Sequence, residues 1–236
     1  MRGRRTLVTG AASGIGKALA TLLAARGHQL LLGDVDGHRV SVLAAELGAA
    51  SVTGDVSDPG FFAEAAETMP DPHLVCLNAG VVGESLGHPW DVPAPEWNRV
   101  FEVNVRGVLN GLAEFVPRML ASGEDRSLLL TGSLAGLVTF PSGGAYAASK
   151  HALTAVAEQA ALALAESRVR VTLLCPALVR TGMSDVGAEP EAIAGEALDA
   201  VARGVFAVVA QEWTQAVRDR GDRLSNGLPP SPPTPH

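Results

Sequence analysis

Tyr146 and Lys150 could transfer a proton together, because they lie four positions apart in a segment with a helical pattern. Residues at this spacing occupy the same side of a helix. A phenol, with a reference pKa of about 10, is a poor base at neutral pH, but a nearby ammonium stabilises the phenolate and lowers that pKa. The pair predicts a general base that removes the proton of an alcohol. Taken alone, such a pair usually lies on the protein surface and has no catalytic role, so the other motifs must support this interpretation.

Ser133 and Asn104 could complete this chemistry. Ser133 lies just after the predicted strand Ser127–Thr131 and can donate a hydrogen bond to a substrate oxygen. Asn104 falls in the middle of a predicted helix, where asparagine is unfavourable, and its apolar neighbourhood demands a polar partner or a water. We expect Asn104 to hold a water that links Lys150 to solvent.

A glycine-rich turn, Thr-Gly-Ala-Ala-Ser-Gly-Ile-Gly over residues 9–16, follows the first predicted strand and precedes a helix. The helix N-terminus offers unpaired N–H groups to a phosphate, and the glycines permit a sharp turn and close backbone approach. This predicts a pyrophosphate site, although a plain turn would have a similar composition. The residues expected to bind the cofactor here are Gly10, Ser13, Gly14, Ile15 and Gly16.

Acidic residues after the next two strands favour NAD as the dinucleotide. Asp34 can accept both adenosine ribose hydroxyls and would repel a 2′-phosphate, while Ser13 and Val35 supply no cation. Asp55 and Val56 could contact the adenine. After the fourth strand, Asn78, Ala79 and Gly80 would form the floor under the cofactor.

Short apolar runs alternate with helical patterns along the whole chain, which predicts an α/β fold. We expect a single Rossmann-type domain over residues 1–227, with a doubly wound, parallel, seven-stranded sheet and helices on both faces. Residues 228–236 are rich in proline and are expected to form a disordered tail. The predicted strands are Thr6–Thr9, Gln29–Gly33, Ala50–Thr53, Leu74–Leu77, Ser127–Thr131, Arg170–Leu174 and Val205–Val209. The predicted helices are Ile15–Arg26, Gly37–Leu47, Pro59–Thr68, Pro95–Ala121, Gly143–Glu166, Pro190–Arg203 and Trp213–Leu224.

Composition restricts the class of protein. The chain has 236 residues, of which 47% are hydrophobic and 18% charged, and its net charge is −7. A disordered chain is excluded, and the lack of a basic stripe argues against nucleic acid as a partner. No stretch has the composition of a membrane span or a signal peptide, so we expect a cytoplasmic protein with reduced Cys76 and Cys175. The histidines lack the spacing of metal ligands, so no metal is expected.

Together, these motifs resemble the classical short-chain dehydrogenase/reductase family over about residues 6–183. The resemblance implies an oxidoreductase with a catalytic tetrad of Asn104, Ser133, Tyr146 and Lys150. It further implies that Tyr146 exchanges the proton while Lys150 binds the nicotinamide ribose, and that hydride passes between a secondary alcohol carbon and the nicotinamide. By the same resemblance, Pro176, Val179 and Thr181 belong to the cofactor site.

Two departures from the family pattern stand out. Ala177 replaces the glycine usual after the sixth strand, which would narrow the pocket near the nicotinamide. The seventh strand leads into Gln211-Glu212-Trp213 and a helix instead of the segment that often builds a tetramer. We therefore expect a homodimer through the two long helices, Pro95–Ala121 and Gly143–Glu166, with a tetramer as the alternative.

The expected substrate is a small hydrophobic alcohol or ketone, because the residues near Ser133 are apolar. Those residues are Leu134, Ala135, Leu137, Val138, Phe140, Val81, Val82, Ala177, Leu178 and Met183, with Arg180 close by. Three other functions stay open. One is a catalytically silent nicotinamide-binding regulatory protein, and another is an NADPH-dependent acyl-carrier-protein ketoreductase, against which Asp34 and the acidic balance argue. The third is a scaffold that uses the fold only for oligomerisation and binds no cofactor.

Overall fold

The protein is described by a computed structural model that covers residues 3–180 and 186–235. Strands and helices alternate over these residues, as the sequence predicts. The strands are β1 (Arg5–Thr9), β2 (Gln29–Asp34), β3 (Ala50–Thr53), β4 (Leu74–Leu77), β5 (Arg126–Thr131), β6 (Val169–Cys175) and β7 (Ala207–Val209). The α-helices are α1 (Gly14–Ala25), α2 (Gly37–Leu47), α3 (Pro59–Thr68), α4 (Ala94–Phe101), α5 (Gly107–Ser122), α6 (Gly144–Ala163), α7 (Pro190–Arg203) and α8 (Thr214–Ser225).

The strands form one parallel sheet in the order β3-β2-β1-β4-β5-β6-β7. The chain starts at the centre with β1, winds outward to β3, and crosses back so that β4 pairs with β1. Val8 of β1 accordingly lies between Leu32 of β2 and Cys76 of β4. Ligands of open α/β sheets bind where the winding reverses, at the carboxyl ends of the strands, so the crevice between β1 and β4 is the expected site. The predicted fold class is confirmed.

The apolar runs of the strands are explained by burial on both faces of the sheet. Successive strand residues point to opposite faces, so Leu7 joins the core under α3, α5 and α6, while Val8 joins the core under α1, α2 and α7. Phe62 and Phe115 fill the first core, and Leu19 is fully buried in the second. Continuous hydrophobicity is therefore the correct signature for these strands.

One predicted helix, Pro95–Ala121, is divided in the structure. Its two α-helical parts, α4 and α5, are joined by a π-helical turn over Glu102–Arg106. A π turn inserts one residue into the helix and is often found at functional sites. The turn contains Asn104, the residue whose position in a helix is unfavourable, so the sequence anomaly and the structural irregularity coincide.

Beyond the sheet, a 3₁₀ turn over Gln211–Trp213 precedes α8. Residues 228–235 follow as a segment with neither helix nor strand, and Arg223 Nε donates a hydrogen bond of 2.7 Å to the Pro229 carbonyl oxygen. The disorder expected for this tail stays a prediction. None of the helices in the described ranges is long and apolar enough to cross a bilayer.

Candidate active site

A cavity of about 770 Å³ opens at the carboxyl ends of the strands, at the crevice expected from the topology. Its walls contain most of the residues singled out in the sequence as cofactor-binding or catalytic. These are Gly10, Ser13, Gly14, Ile15, Asp34, Asp55, Val56, Asn78, Ala79, Gly80, Ser133, Tyr146, Lys150, Pro176 and Val179. Gly16 and Asn104 lie behind the wall, and Thr181 lies outside the described residues.

The glycine-rich turn brings the start of α1 to the cavity. Gly10 has a φ of +67°, and a Cβ at this position would lie 2.8 Å from the Ala79 Cα. A Cβ at Gly16 would collide with the Gly10 carbonyl oxygen, so only glycine lets α1 pack so closely. Ser13 caps α1 without using its side chain, and the first turn of α1 contains no acidic residue. These features fit a pyrophosphate group at the helix N-terminus.

Asp34, at the end of β2, is held in place by backbone groups. Its Oδ2 accepts a hydrogen bond of 2.9 Å from the Ala12 N–H, and its Oδ1 accepts one of 3.0 Å from the Asp36 N–H. A carboxylate has about four acceptor positions. Two therefore stay available for ribose hydroxyls, and the carboxylate is oriented toward the cavity before any ligand binds.

Asp55 has a partner that the sequence did not reveal. Its Oδ1 accepts hydrogen bonds from the Ser57 N–H and hydroxyl, and its Oδ2 forms a 2.8 Å ion pair with Arg99 Nη1. Burial alone would raise the pKa of Asp55, but the bonds from Ser57 and Arg99 outweigh it, and the pKa is lowered. Arg99 comes from α4, about forty positions further on, so no local sequence pattern could have paired it with Asp55.

The floor between β1, β4 and β5 is fixed by Asn78. Its Nδ2 donates to the Thr9 carbonyl oxygen at 3.1 Å, and its Oδ1 accepts from the Thr131 hydroxyl at 3.0 Å. The Thr9 hydroxyl in turn accepts from the Asn78 N–H. The network joins the carboxyl ends of three neighbouring strands, so the relative positions of Gly10, Asn78 and Thr131 are fixed by hydrogen bonds.

Asn104 projects from the π turn toward α6 and is fully buried. Its Oδ1 accepts from the Val81 N–H at 2.8 Å, and its Nδ2 donates to the Val81 carbonyl oxygen at 2.9 Å and to the Ser149 hydroxyl at 3.0 Å. The Ser149 hydroxyl donates to the Tyr146 carbonyl oxygen. Asn104 therefore connects the loop after β4 to the helix that bears Tyr146, through a serine that the sequence did not single out.

Tyr146 and Ser133 meet at the cavity. Burial raises the pKa of the Tyr146 phenol above its usual value, and hydrogen bonding with the Ser133 side chain opposes that shift in part. The sequence predicted a pKa lowered by Lys150. For the chain by itself this prediction is wrong, because Lys150 Nζ lies 5.8 Å from the centre of the Tyr146 ring and donates elsewhere.

Lys150 is 4% exposed and donates a hydrogen bond of 2.9 Å to the Thr131 carbonyl oxygen. Burial lowers its pKa from 10.5 to about 8, and the neighbouring Cys175 opposes this shift only in part. A Cβ on Gly80 would lie 3.2 Å from Asn104 Oδ1 and 3.4 Å from Lys150 Nζ, so both polar atoms face the space beside this glycine.

The far end of the cavity is apolar. Of the residues expected there, the structure brings together Val81, Val82, Leu134, Ala135, Val138, Phe140, Ala177 and Leu178. Leu137 packs instead against the core, Arg180 forms a 2.9 Å ion pair with Glu189, and Met183 lies outside the described residues. The sequence missed Leu86, Trp213 and Pro233, which also line this end. They come from segments distant along the chain, and no motif marks them.

The chain is similar in sequence and in structure to known dehydrogenases. Residues 4–191 match the family model for short chain dehydrogenase. The chain is 36% identical to 1-deoxy-11-beta-hydroxypentalenate dehydrogenase from Streptomyces exfoliatus, over 98% of this chain and 92% of that protein. It is 31% identical to cyclohexanol dehydrogenase from Acinetobacter sp. strain SE19, over 74% of this chain and 72% of that one. A short-chain dehydrogenase/reductase from Burkholderia phymatum, solved in complex with NAD, superimposes with a TM-score of 0.90 at 32% identity, covering 100% of this chain and 99% of that one.

The chain belongs to the short-chain dehydrogenase/reductase family. It is an oxidoreductase that acts on CH–OH groups of a small molecule with a nicotinamide cofactor. The glycine-rich turn, the α1 N-terminus and Asp34 fit such a cofactor by their geometry. In the described part of the chain, no three His, Cys, Asp or Glu side chains cluster as metal ligands.

Proposed function

We propose that the protein is an NAD-dependent dehydrogenase that interconverts a hydrophobic secondary alcohol and its ketone. The observation that carries this proposal is the continuity of one cavity, which extends from Asp34 and the start of α1, past Tyr146, to an apolar end near Trp213. Such a cavity can hold a dinucleotide and an alcohol at the same time, with the hydroxyl beside the phenol.

Asp34 supports NAD over NADP. Its carboxylate, held by the Ala12 and Asp36 N–H groups, would accept the ribose hydroxyls and repel a 2′-phosphate. The exposed Val35 offers no cation beside it, and Arg39 does not line the cavity. Arg99 lines the cavity, but its guanidinium is already paired with Asp55.

Tyr146 would take the proton from the alcohol hydroxyl, and Ser133 would orient that oxygen by a hydrogen bond. The bound cofactor supplies the hydride acceptor. Because burial raises the pKa of Tyr146, the phenol by itself stays protonated at neutral pH and cannot accept the proton of an alcohol. The positive charge of an oxidised nicotinamide ring close to the phenol would lower the pKa of Tyr146, as would a closer approach of the Lys150 ammonium.

Lys150 and Asn104 would supply the proton path. The Lys150 pKa of about 8 lies close to working pH, so this amine can exchange a proton without a large energetic penalty. Both Lys150 Nζ and Asn104 Oδ1 face the space beside Gly80. We place the expected water there, accepted by the remaining lone pair of Asn104 Oδ1.

An alicyclic secondary alcohol is the proposed substrate class. The apolar end of the cavity has rigid walls in Trp213, Phe140 and Pro233, which suit a compact ring better than a long flexible chain. Two similar proteins are named for cyclohexanol and for 1-deoxy-11-beta-hydroxypentalenate, and both names denote hydroxylated ring systems.

A homodimer through α5 and α6 remains our proposal for the assembly. Three large apolar side chains on these helices, Leu109, Leu120 and Leu162, are exposed by 43%, 48% and 78%. Light scattering during size-exclusion chromatography would test it, and a monomer at micromolar concentration would contradict it.

The first test is formation of reduced cofactor across a panel of alicyclic and linear secondary alcohols, with NAD and NADP in parallel. Turnover of ring alcohols with NAD is expected. Turnover only with NADP would contradict the role of Asp34, and preference for linear alcohols would contradict the substrate class. Binding of NADH without turnover of any alcohol would favour the regulatory function instead.

A further inference from the structure

A second cavity, of about 400 Å³, lies at the opposite, amino-terminal edge of the sheet. It is bounded by the residues that begin β1, β5 and β6 and by the carboxyl ends of α1 and α7. Its polar lining is dominated by basic side chains: Arg4, Arg26, His28, Arg126, Arg170 and Arg203. We call this feature the arginine cavity.

Carboxylates neutralise only some of these arginines. Arg26 pairs with Asp199 at 3.2 Å, and Arg126 pairs with Asp71 and Glu124 at 2.7 and 3.2 Å. The one acidic residue in the lining, Asp125, pairs with an arginine outside the cavity, Arg168. Three guanidinium groups of the arginine cavity form no ion pair with a described carboxylate, and these are Arg4, Arg170 and Arg203.

Arg126 forms the base of the arginine cavity, and its side chain is 1% exposed. Its Nη2 donates to Asp71 and its Nε to Ser122, but Nη1 is buried with no acceptor among the described residues. A buried guanidinium N–H without an acceptor destabilises a folded protein, so such a group usually has a partner. Nη1 has no surface open to the cavity, so an oxyanion there would become its acceptor only after a movement of the side chain.

The surrounding charge is positive despite the protein's net charge of −7. The pKa of His28 is lowered by burial first and then by the charges of Arg4 and Arg26. The carboxyl ends of α1 and α7 carry partial negative charge. Arg26 and Arg203 offset these helix ends, and Asp125 offsets part of the charge of Arg4 and Arg170, since both arginines help to lower the pKa of its carboxyl.

We propose that the arginine cavity binds a compact oxyanion with at least two negative charges, of which pyrophosphate is the simplest. Guanidinium groups bind phosphate oxygens in pairs with good geometry, and several of them converge here on one concave space. The volume suits a small ligand and is too small for a dinucleotide with its substrate. This site is distinct from the pyrophosphate position at the start of α1, because the two lie at opposite edges of the sheet.

Pyrophosphate binding to the full-length protein would be measured by thermal unfolding and by calorimetry at constant ionic strength. A ligand that binds only the folded state raises the unfolding temperature, and we expect a rise of about 3 °C at a tenfold or greater excess over Kd. Arg170→Gln and Arg203→Gln should each weaken binding about threefold to tenfold, because each removes one guanidinium that lines the cavity without an ion pair to a described carboxylate. Arg218→Gln removes an equally exposed charge from α8 and should leave the affinity unchanged.

Three results would overturn the proposal. An equal rise in unfolding temperature in all variants would show that pyrophosphate stabilises the protein by its exclusion from the protein surface and not by binding in the cavity. Competition by NAD, with no effect of Arg170→Gln, would place the anion at the start of α1. No heat and no thermal shift at millimolar pyrophosphate would mean that the cavity is not an anion site. None of these readouts requires turnover, so they do not depend on the proposed dehydrogenase activity.

Discussion

The two edges of the sheet handle charge in different ways. At the carboxyl edge, attraction for a phosphate comes from backbone N–H groups at the start of α1, and the two cationic side chains in the cavity wall, Arg99 and Lys150, are directed to Asp55 and to the Thr131 carbonyl oxygen. At the amino edge, positive charge comes from arginine side chains gathered around the ends of helices. A parallel sheet imposes this polarity, because each helical connection between two strands starts near the carboxyl edge and ends near the other.

The difference shows how position in the fold determines the task of a charged residue. Lys150 is buried beside a hydrophobic cavity, and its pKa is lowered to about 8 by that burial. The arginines at the amino edge stay charged at any physiological pH, so they can attract ions but cannot exchange protons. Our two proposals accordingly assign acid–base chemistry to the carboxyl edge and ion binding without proton transfer to the amino edge.

Tyr146→Phe provides the largest expected effect. Loss of the phenol removes the proposed general base, so turnover should fall by about 10²–10⁴-fold while the fold persists. Reduced-cofactor formation measures turnover, and pyrophosphate affinity at the amino edge should not change. Near wild-type turnover in this variant would refute the mechanism.

The same tyrosine allows a spectroscopic control, because it is the only one in the chain. Its ionisation can be followed by ultraviolet absorbance without other phenols. Burial raises its pKa, so the free protein should show phenolate only at a pH above the usual value. Saturation with NAD should shift this titration to lower pH, and an unchanged midpoint would contradict activation of the phenol by the cofactor.

Asp34→Asn should change cofactor choice. The substitution removes the charge that opposes a 2′-phosphate, so the ratio of kcat/KM for NAD to that for NADP should fall by about 10–100-fold. Asp36→Asn is the matched control, since it removes a charge two residues away and asparagine still caps α2. An equal change of the NAD-to-NADP ratio in both variants would mean that Asp34 acts only through the overall negative charge of this region and not by direct contact with the cofactor.

Trp213→Ala should enlarge the apolar end of the carboxyl-edge cavity. We expect KM for a ring alcohol to rise about tenfold with little change in kcat, because the indole contributes contact area and not chemistry. Trp90→Ala is the control, since Trp90 is 80% exposed and does not line the cavity. A loss in kcat alone would contradict the assignment of Trp213 to substrate binding.

Lys150→Met should give the smallest effect, an increase in stability of about 1–2 kcal/mol at pH 7. An ammonium whose pKa falls from 10.5 to about 8 on folding is destabilising while it is charged, and loss of its bond to Thr131 offsets part of the gain. The unfolded chain binds more protons between these two values, so the wild type recovers stability as pH rises from about 8 to 10.5. The gain of the variant should therefore shrink over that range.

Denaturant titrations at several pH values would measure this change. Lys17→Met on the exposed side of α1 is the control and should stay within about 0.5 kcal/mol of wild type. A variant that is less stable than wild type at pH 7 would mean that the hydrogen bond to Thr131 outweighs the burial of the charge.

The sequence predicted the sheet and the residues of its loops for different reasons. Strands and helices follow from local periodicity, so bounds such as Ala50–Thr53 and Pro59–Thr68 were correct. Glycines and polar residues at strand ends follow from topology, which explains why Asp34 and Ser133 were found. The division of the predicted helix Pro95–Ala121 was not predicted. Asn104, in the π turn, forms hydrogen bonds with Val81 and Ser149, and these contacts exist only in the folded chain.

Long-range pairs were also beyond the sequence. The ion pair between Arg99 and Asp55 joins segments that are distant in sequence and close only in the folded chain. The same is true of Pro233, which comes from the C-terminal tail to line the cavity. The direction of the Tyr146 pKa failed for a related reason. The spacing of two residues on a helix shows that they share a side of it. It does not show that Lys150 donates its hydrogen bond to Thr131 of β5, nor how deeply Tyr146 is buried.

The scarcity of lysine has a practical consequence for chemical labelling. Lys17 and Lys150 are the only lysines, and Lys17 is exposed whereas Lys150 faces the cavity. An amine whose pKa is about 8 is largely uncharged in mildly alkaline buffer, and the uncharged form is the nucleophile. A small amine-directed reagent would thus have two side-chain targets, the exposed Lys17 and the Lys150 that lines the cavity. A ligand in the cavity should protect Lys150 from the reagent, and mass spectrometry would detect the loss of labelling.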